Sequence, residues 1–268
     1  MKSVRVLGVR FDDLTNNELD FLLENALNGS RPAMIVTPNP EMLLETQRYR
    51  WFHQLLNDFD ISLPDGIGVV YAAAAVSGAS ISRHPGVDVL LRIARVCAFQ
   101  KRRLLLIGGK NGVGEQAAER LWLEQPSLQV RTLDPGIVML GKQGNLIISE
   151  TIIQQINEIK PDVIVIALGA KKQEILARRI KQECQHVKLI IGVGGALDML
   201  AEITPRAPLK MRKMGLEWLW RWKLQPRRIK RMFNATIRFP LIIAWGTLRQ
   251  KRLRKGVEAV FSEMLKNK

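Results

Sequence analysis

The first 200 residues repeat one arrangement: a short run of Val, Ile and Leu without polar alternation, then a longer amphipathic stretch. Such runs suit strands buried on both faces, because alternation is needed only where one face meets water. The clearest runs are Ala33–Thr37, Leu104–Ile107, Val163–Leu168 and Leu189–Val193, with weaker ones near Val4–Val9, Asp60–Leu63 and Leu128–Leu133. Helical patterns lie between them, over Pro40–Tyr49, Ile67–Val76, Asp88–Ala98, Val113–Glu124, Leu146–Ile159 and Lys172–Cys184. Another opens at Thr15-Asn16-Asn17-Glu18, a capping box whose hydroxyl and carboxylate satisfy the first free N–H groups, and Gly29 is expected to end it. Alternating strand and helix predicts an α/β, Rossmann-like fold: a mostly parallel sheet flanked by helices.

The pattern changes after Thr204. Residues 205–268 hold 18 of the 41 Lys and Arg but only 3 of the 25 Asp and Glu, so they carry a net +15 of the formal +16. Four of the six tryptophans also lie there: Trp218, Trp220, Trp222 and Trp245. The reading is a core, residues 1–204, followed by a basic, Trp-rich helical appendage, residues 205–268. A field confined to one segment points to a polyanionic partner, either a nucleic acid or an anionic membrane surface. The most apolar piece, Phe239–Leu248, is ten residues long. A spanning helix needs about 20, so an amphipathic segment lying in the membrane interface is expected. The N-terminal run Val6-Leu7-Gly8-Val9 meets Asp12 and Asp13 too soon for a signal peptide. A cytoplasmic protein, peripherally associated with the inner face of the plasma membrane, is expected. Cys97 and Cys184 form no CxxC pair, and His53, His84 and His186 are scattered. A disulfide scaffold and a metal site are therefore not expected.

Four polar clusters follow expected strands, where open α/β sheets bind their ligands. Thr37-Pro38-Asn39-Pro40-Glu41 offers a hydroxyl and an amide one residue apart, or simply a turn and helix cap. Pro64-Asp65-Gly66 is a turn signal, or it holds Asp65 at the sheet mouth as a proton acceptor. Gly108-Gly109-Lys110-Asn111-Gly112-Val113-Gly114 leaves backbone N–H groups free for phosphate but is not a Walker loop. Gly169-Ala170-Lys171-Lys172-Gln173-Glu174 puts lysines at a helix start, against the macrodipole, which favours an anion near Lys171 or Lys172; a solvated turn is the other reading. Gly192-Val193-Gly194-Gly195 through Asp198 follows the last strong strand.

Together these clusters resemble the WecG/TagA/CpsF family of glycosyltransferases. The resemblance spans about residues 5–235. It includes Arg83 with Gly86 and Asp88, Arg206-Ala207-Pro208, and the distinctive Gly215-Leu216-Glu217-Trp218-Leu219 block followed by Pro226, Arg228 and Arg231. It implies an inverting transferase that moves N-acetylmannosamine, its uronate or glucose from a UDP-sugar donor to a polyprenyl-diphosphate-linked acceptor in cell-surface polymer synthesis, without a bound metal or other cofactor. Carried over, it makes Asp65 the general base. Thr37, Asn39, Arg83 and Gln173 would line the pocket, with Lys172 beside them. Gly109, Gly194, Gly195 and Asp198 would shape the nucleotide side. Arg221, Arg228 and Arg231 would neutralise the diphosphate, since guanidinium groups and backbone N–H can take the leaving group's charge; arginines with a purely structural role in the appendage are the alternative. The sequence departs from the family's pattern at Glu202 and Thr204-Pro205, where Gly and a basic residue are usual, at Ile137 and at Ala170. These departures bear on the choice of donor sugar. A homo-oligomer is compatible with this reading.

Two other classes compete. A nucleotide-dependent oxidoreductase would use the glycine turns, with Asp134 in the window for a ribose-binding acid. It has no hydride-transfer constellation and leaves the basic tail unused. A nucleic-acid-binding protein would use the tail's cations and tryptophans, but the neutral body with its pocket-like clusters argues against nucleic acid as the partner.

Overall fold

In the computed structural model, the described residues are 2–141, 144–203, 205–224, 229–249 and 253–266. An antiparallel hairpin opens the chain, β1 (Lys2–Val6) and β2 (Val9–Asp13). The expected single strand Val4–Val9 is thus two, because Leu7 and Gly8 both take positive φ, 50° and 80°, the backbone of a tight hairpin turn. The hairpin covers the edge of the main sheet. Asp12 Oδ2 accepts from Ser62 N at 2.9 Å, and Arg10 Nη2 donates to the carbonyls of Phe59 and Asp60.

The central sheet is built from β3 (Ala33–Val36), β4 (Ile61–Ser62), β5 (Arg103–Gly108), β6 (Gln129–Leu133), β9 (Val163–Ala167) and β10 (Leu189–Gly192). A small separate hairpin, β7 (Met139–Leu140) with β8 (Leu146–Ile147), interrupts the series. All six central strands are parallel, in the order β4-β3-β10-β9-β5-β6. Successive strand residues face two different cores. Val36, Ile107, Ile164 and Ile190 pack on one side; Ile35, Leu106, Val165 and Ile191 pack on the other. Both faces are dry over the inner strands, which is why those show no alternation, while the edge strand β6 keeps Gln129 and Arg131 exposed.

The helices on one side are α2 (Pro40–Thr46), α3 (Arg50–Asn57), α4 (Ile67–Ser77), α7 (Ile152–Ile159) and α8 (Lys172–Glu183); on the other are α1 (Asn16–Asn28), α5 (Gly86–Phe99), α6 (Val113–Glu124) and α9 (Ala196–Leu200). The Thr15–Glu18 capping box forms as read. Two expected helices are divided. Pro40–Tyr49 ends at Thr46, and a separate α3 follows on its stripe of Phe52, Leu55 and Leu56. Leu146–Ile159 begins instead as β8, and Ser149 Oγ, 2.8 Å from Thr151 Oγ1, supplies the local bond that competes with helix before α7.

The described residues after 204 form α10 (Leu209–Lys213), α11 (Glu217–Leu224), α12 (Ile229–Phe233), a π-helical turn over Asn234–Arg238, α13 (Phe239–Arg249) and α14 (Leu253–Lys266). Helices α13 and α14 pack on α4, with Phe239 and Ile243 buried. A Cβ on Gly215 would sit 2.9 Å from Ile67 Cβ, and one on Gly256 would sit 2.9 Å from the Ala75 carbonyl oxygen, so both approaches are backbone-close. Arg206 pairs with Asp88 at 2.8 Å. Along the outer side, Phe233, Ile237, Leu241, Trp245 and Leu248 are all exposed. No helix among the described residues is long and apolar enough to cross a membrane.

Candidate active site

The carboxyl ends of β3 and β4 open into a cavity of about 550 Å³. Asn39, Asp65 and Arg83 line it from the core, and Trp218, Trp222 and Arg231 line it from the tail. The tail of this chain therefore walls the cavity that holds its own Asp65. Asp65 is fixed through backbone: its N–H donates to the Pro38 carbonyl at 3.1 Å, and the preceding Pro64 carbonyl accepts from His84 N at 2.8 Å. Asn39 does what a cap does, Oδ1 accepting from Met42 N at 3.1 Å, while still lining the cavity. Arg83 reaches across to the tail and donates from Nη2 to the Arg212 carbonyl at 3.0 Å. Tyr71, on α4, also lines the cavity; burial and the Glu263 carboxylate push its hydroxyl above the usual range, against the Arg83 charge, so it stays a neutral donor.

Behind the cavity lies a buried relay that ties three of the expected residues together. Gln173 does not face the cavity. Its Oε1 accepts from Gly194 N at 3.0 Å, and its Nε2 donates to Glu174 Oε1 at 2.7 Å. The site above Gly192 is filled by the Gln173 side chain, and Thr37 Oγ1 donates to the Gly192 carbonyl at 3.2 Å. Thr37 and Gln173 are thus read as pocket-lining residues but found as supports of the β10 turn. Glu174 is fully buried, and burial pushes its carboxyl up to about 7 in spite of its hydrogen bonds. Its Oε2 accepts from Lys171 N at 2.6 Å. The sequence motif contains Glu174, but no role follows from it there. The usable signal is its place three residues after Lys171, the spacing at which a carboxylate returns to the helix-start N–H.

Gly109, Gly195 and Asp198 line neither this cavity nor the one described next. They sit at neighbouring strand ends. Gly109 has φ 79°, and a Cβ there would lie 2.4 Å from Gly114 N, so this turn admits only glycine. Gly195 and Asp198 adjoin each other at the start of α9, a Cβ on Gly195 falling 3.3 Å from Asp198 Oδ2. Glu202 takes a left-handed φ of 57° and pairs with Arg120. Its departure from the glycine usual in the family's pattern therefore falls where glycine is the easier residue. Helix α11 carries Arg221, but its side chain, like all of Arg228, lies outside the described residues.

A second cavity, of about 730 Å³, adjoins the first and shares Glu41 and Arg231 with it. Arg231 grips Glu41 with Nε at 2.9 Å and Nη2 at 2.7 Å from Oε2. Lys172 lines this second cavity, its Nζ 3.5 Å from the Val138 carbonyl. Lys171 holds φ 73° and ψ −51°, a strained conformation for a residue with a Cβ. Its ammonium pairs with Glu45 and lies 4.2 Å from the centre of the Tyr49 ring. Among the described residues no three His, Cys, Asp or Glu side chains gather as a metal site.

A parallel sheet with its polar turns at the carboxyl ends of the strands, walled by a basic helical tail, defines a Rossmann-like fold with a cavity where such sheets bind ligands. The chain belongs to the glycosyl transferase WecG/TagA/CpsF family, whose pattern matches residues 4–254. It is 30% identical over 240 residues to an N-acetylglucosaminyldiphosphoundecaprenol N-acetyl-beta-D-mannosaminyltransferase of Staphylococcus aureus strain MRSA252, covering 87% of this chain and 89% of that one. The protein of the same description from strain NCTC 8325 / PS 47 is 29% identical over the same shares.

Proposed function

We propose that this glycosyltransferase moves a hexose or N-acetylhexosamine, of N-acetylmannosamine type or glucose, from a UDP-sugar to a polyprenyl-diphosphate-linked saccharide, with inversion. The observation that carries the reading is that Asp65 shares one cavity with Arg231 of the tail. Asp65 takes the proton of the acceptor hydroxyl as its oxygen bonds the anomeric carbon. The bond from that carbon to the diphosphate breaks, and the electron pair leaves with UDP. Arg231 meets the charge that builds on the phosphate oxygens, the role the resemblance also gives Arg221 and Arg228, so no metal is required. The turns at Gly109 and at Gly194, Gly195 and Asp198 receive the nucleotide, the latter held by Gln173 and Glu174.

The division into a core of residues 1–204 and an appendage of residues 205–268 belongs to the same proposal. The exposed stripe Phe233, Ile237, Leu241 and Trp245 runs beside Arg238 and Arg249. Apolar side chains with flanking arginines suit a helix lying in an anionic membrane interface, which is where a lipid-linked acceptor is met. The experiment is transfer of label from a panel of UDP-sugars to a synthetic lipid-diphosphate-linked acceptor, with and without EDTA. Transfer from one donor that survives EDTA is expected. Loss in EDTA would overturn the arginine account, and no transfer from any donor would overturn the reaction.

A further inference from the structure

The second cavity has a composition that the reaction at Asp65 does not explain. Five cations line it: Arg48, Lys171, Lys172, Arg231 and Arg238. Only two carboxylates oppose them, Glu41 and Glu45, leaving a formal excess of three positive charges. Glu45 is shared between Arg48, at 3.0 Å, and Lys171, and Glu41 is taken by Arg231. Lys172 and Arg238 make no ion pair among the described residues. An excess of positive charge of this kind suits a multivalent anion.

Its rim is of the opposite character. Met139 and Leu140 of β7 line the cavity, yet Met139 is 53% exposed, and Ile137 just before them is 76% exposed. Asn234 and Arg238 of the π-helical turn line the same cavity, and that turn belongs to the segment carrying the exposed apolar stripe. A basic cavity bordered on one side by exposed apolar side chains matches an amphiphile with a polyanionic head. A free nucleotide would use the cations and leave that apolar edge in water. About 730 Å³ is room for a diphosphate with its adjoining chain.

We infer that this cavity is the seat of the acceptor's lipid diphosphate. The phosphates lie on Lys172 and Arg238, the first apolar units run along the β7–β8 hairpin, and the hairpin is a second membrane contact besides the tail. The inference rests on the acceptor proposed above. Arg231 lines both cavities, so a head group held here leaves its sugar on the Asp65 side.

The test is flotation of the full chain with phosphatidylcholine vesicles, plain or doped with a polyprenyl-diphosphate-linked sugar or a polyprenyl monophosphate. Arg238→Gln and the double variant Met139→Ser with Leu140→Ser are compared with the wild type. All of these positions are partly or fully exposed, and Ile137→Ser, at the most exposed of them, serves as the variant that leaves packing untouched. UDP binding by calorimetry is measured on each. Doping with the diphosphate should strengthen wild-type binding more than the monophosphate does. Arg238→Gln should weaken that increment by roughly tenfold or more, as loss of a charged hydrogen bond does, and the hairpin variants should weaken it too, with UDP binding unchanged. Equal flotation of wild type and variants, with UDP still bound, overturns the inference while leaving the transferase reading in place. Failure of the wild type to bind UDP overturns the transferase reading and not the cleft. Preference for a short RNA over the doped vesicles overturns the lipid assignment.

Discussion

Arg231 on α12 closes a two-pronged ion pair on Glu41 in the first turn of α2, and the pair stands in the wall common to both cavities. The arginine is more than half exposed, and an exposed ion pair contributes only about 0–1 kcal/mol. A diphosphate offers the same fork-shaped partner with more charge. Glu41 therefore holds Arg231 in position without binding it so tightly that substrate could not take it over.

Arg231→Lys keeps the charge and loses the fork. Turnover should fall by about 10²-fold, the order of losing one donor to a developing oxyanion, with little change in melting temperature. Steady-state kinetics beside a thermal melt checks this. Unaltered turnover would remove Arg231 from leaving-group stabilisation.

Glu174 should give the protein a pH-dependent stability. Burial raises its carboxyl from the ordinary 4.5 to about 7. Between those values the folded chain holds a proton that the unfolded chain has lost, so stability falls as pH rises through that window and levels off above it. Glu174→Gln does not titrate. The melting temperature of the variant minus that of the wild type should rise across the window and then flatten; a constant difference would contradict the buried-carboxyl account.

Gly109 and Gly194 both have positive φ but differ in surroundings. Ala at 109 would meet Gly114 N at 2.4 Å, whereas Ala at 194 meets nothing within 4 Å. Gly194→Ala should cost about 1–2 kcal/mol, the left-handed penalty alone, and Gly109→Ala clearly more, because backbone must move. Urea unfolding of the two variants orders them. UDP affinity of Gly194→Ala should also fall if the nucleotide lies against that turn.

Leu241→Ser with Trp245→Ser removes two exposed side chains and should leave the fold intact. Burying such a side chain contributes about 1.5–3 kcal/mol. Partitioning onto phosphatidylglycerol vesicles should fall at least tenfold, read by co-sedimentation. Equal partitioning would place the membrane contact elsewhere.

The sheet was legible because its inner strands are wet on neither face, so unbroken runs such as Val163–Ile166 mark them directly, whereas the part-exposed edge strand β6 gave only a weak run. The short pieces were not. β8 spans two residues and α3 follows α2 after three, lengths at which pattern loses to a single turn bond. Asp65, Arg83 and Arg231 were named from motif and do meet in one cavity. Gln173 and Thr37, read as pocket-lining, turn inward to the β10 turn; the face a helix-start glutamine presents depends on the buried Glu174 beside it. Of the second cavity only the Lys171-Lys172 helix start was legible, since Arg48 and Arg238 join it only through the packing of the tail on α2 and α4.

The most direct test of the account is the turnover of Asp65→Asn, with UDP affinity measured on the same preparation. The amide keeps the size of the side chain and cannot accept the proton. Turnover should fall by roughly 10²–10⁴-fold, the contribution of a general base, while UDP binds as in the wild type. Undiminished turnover would contradict the assignment of Asp65 as the base at the mouth of this sheet.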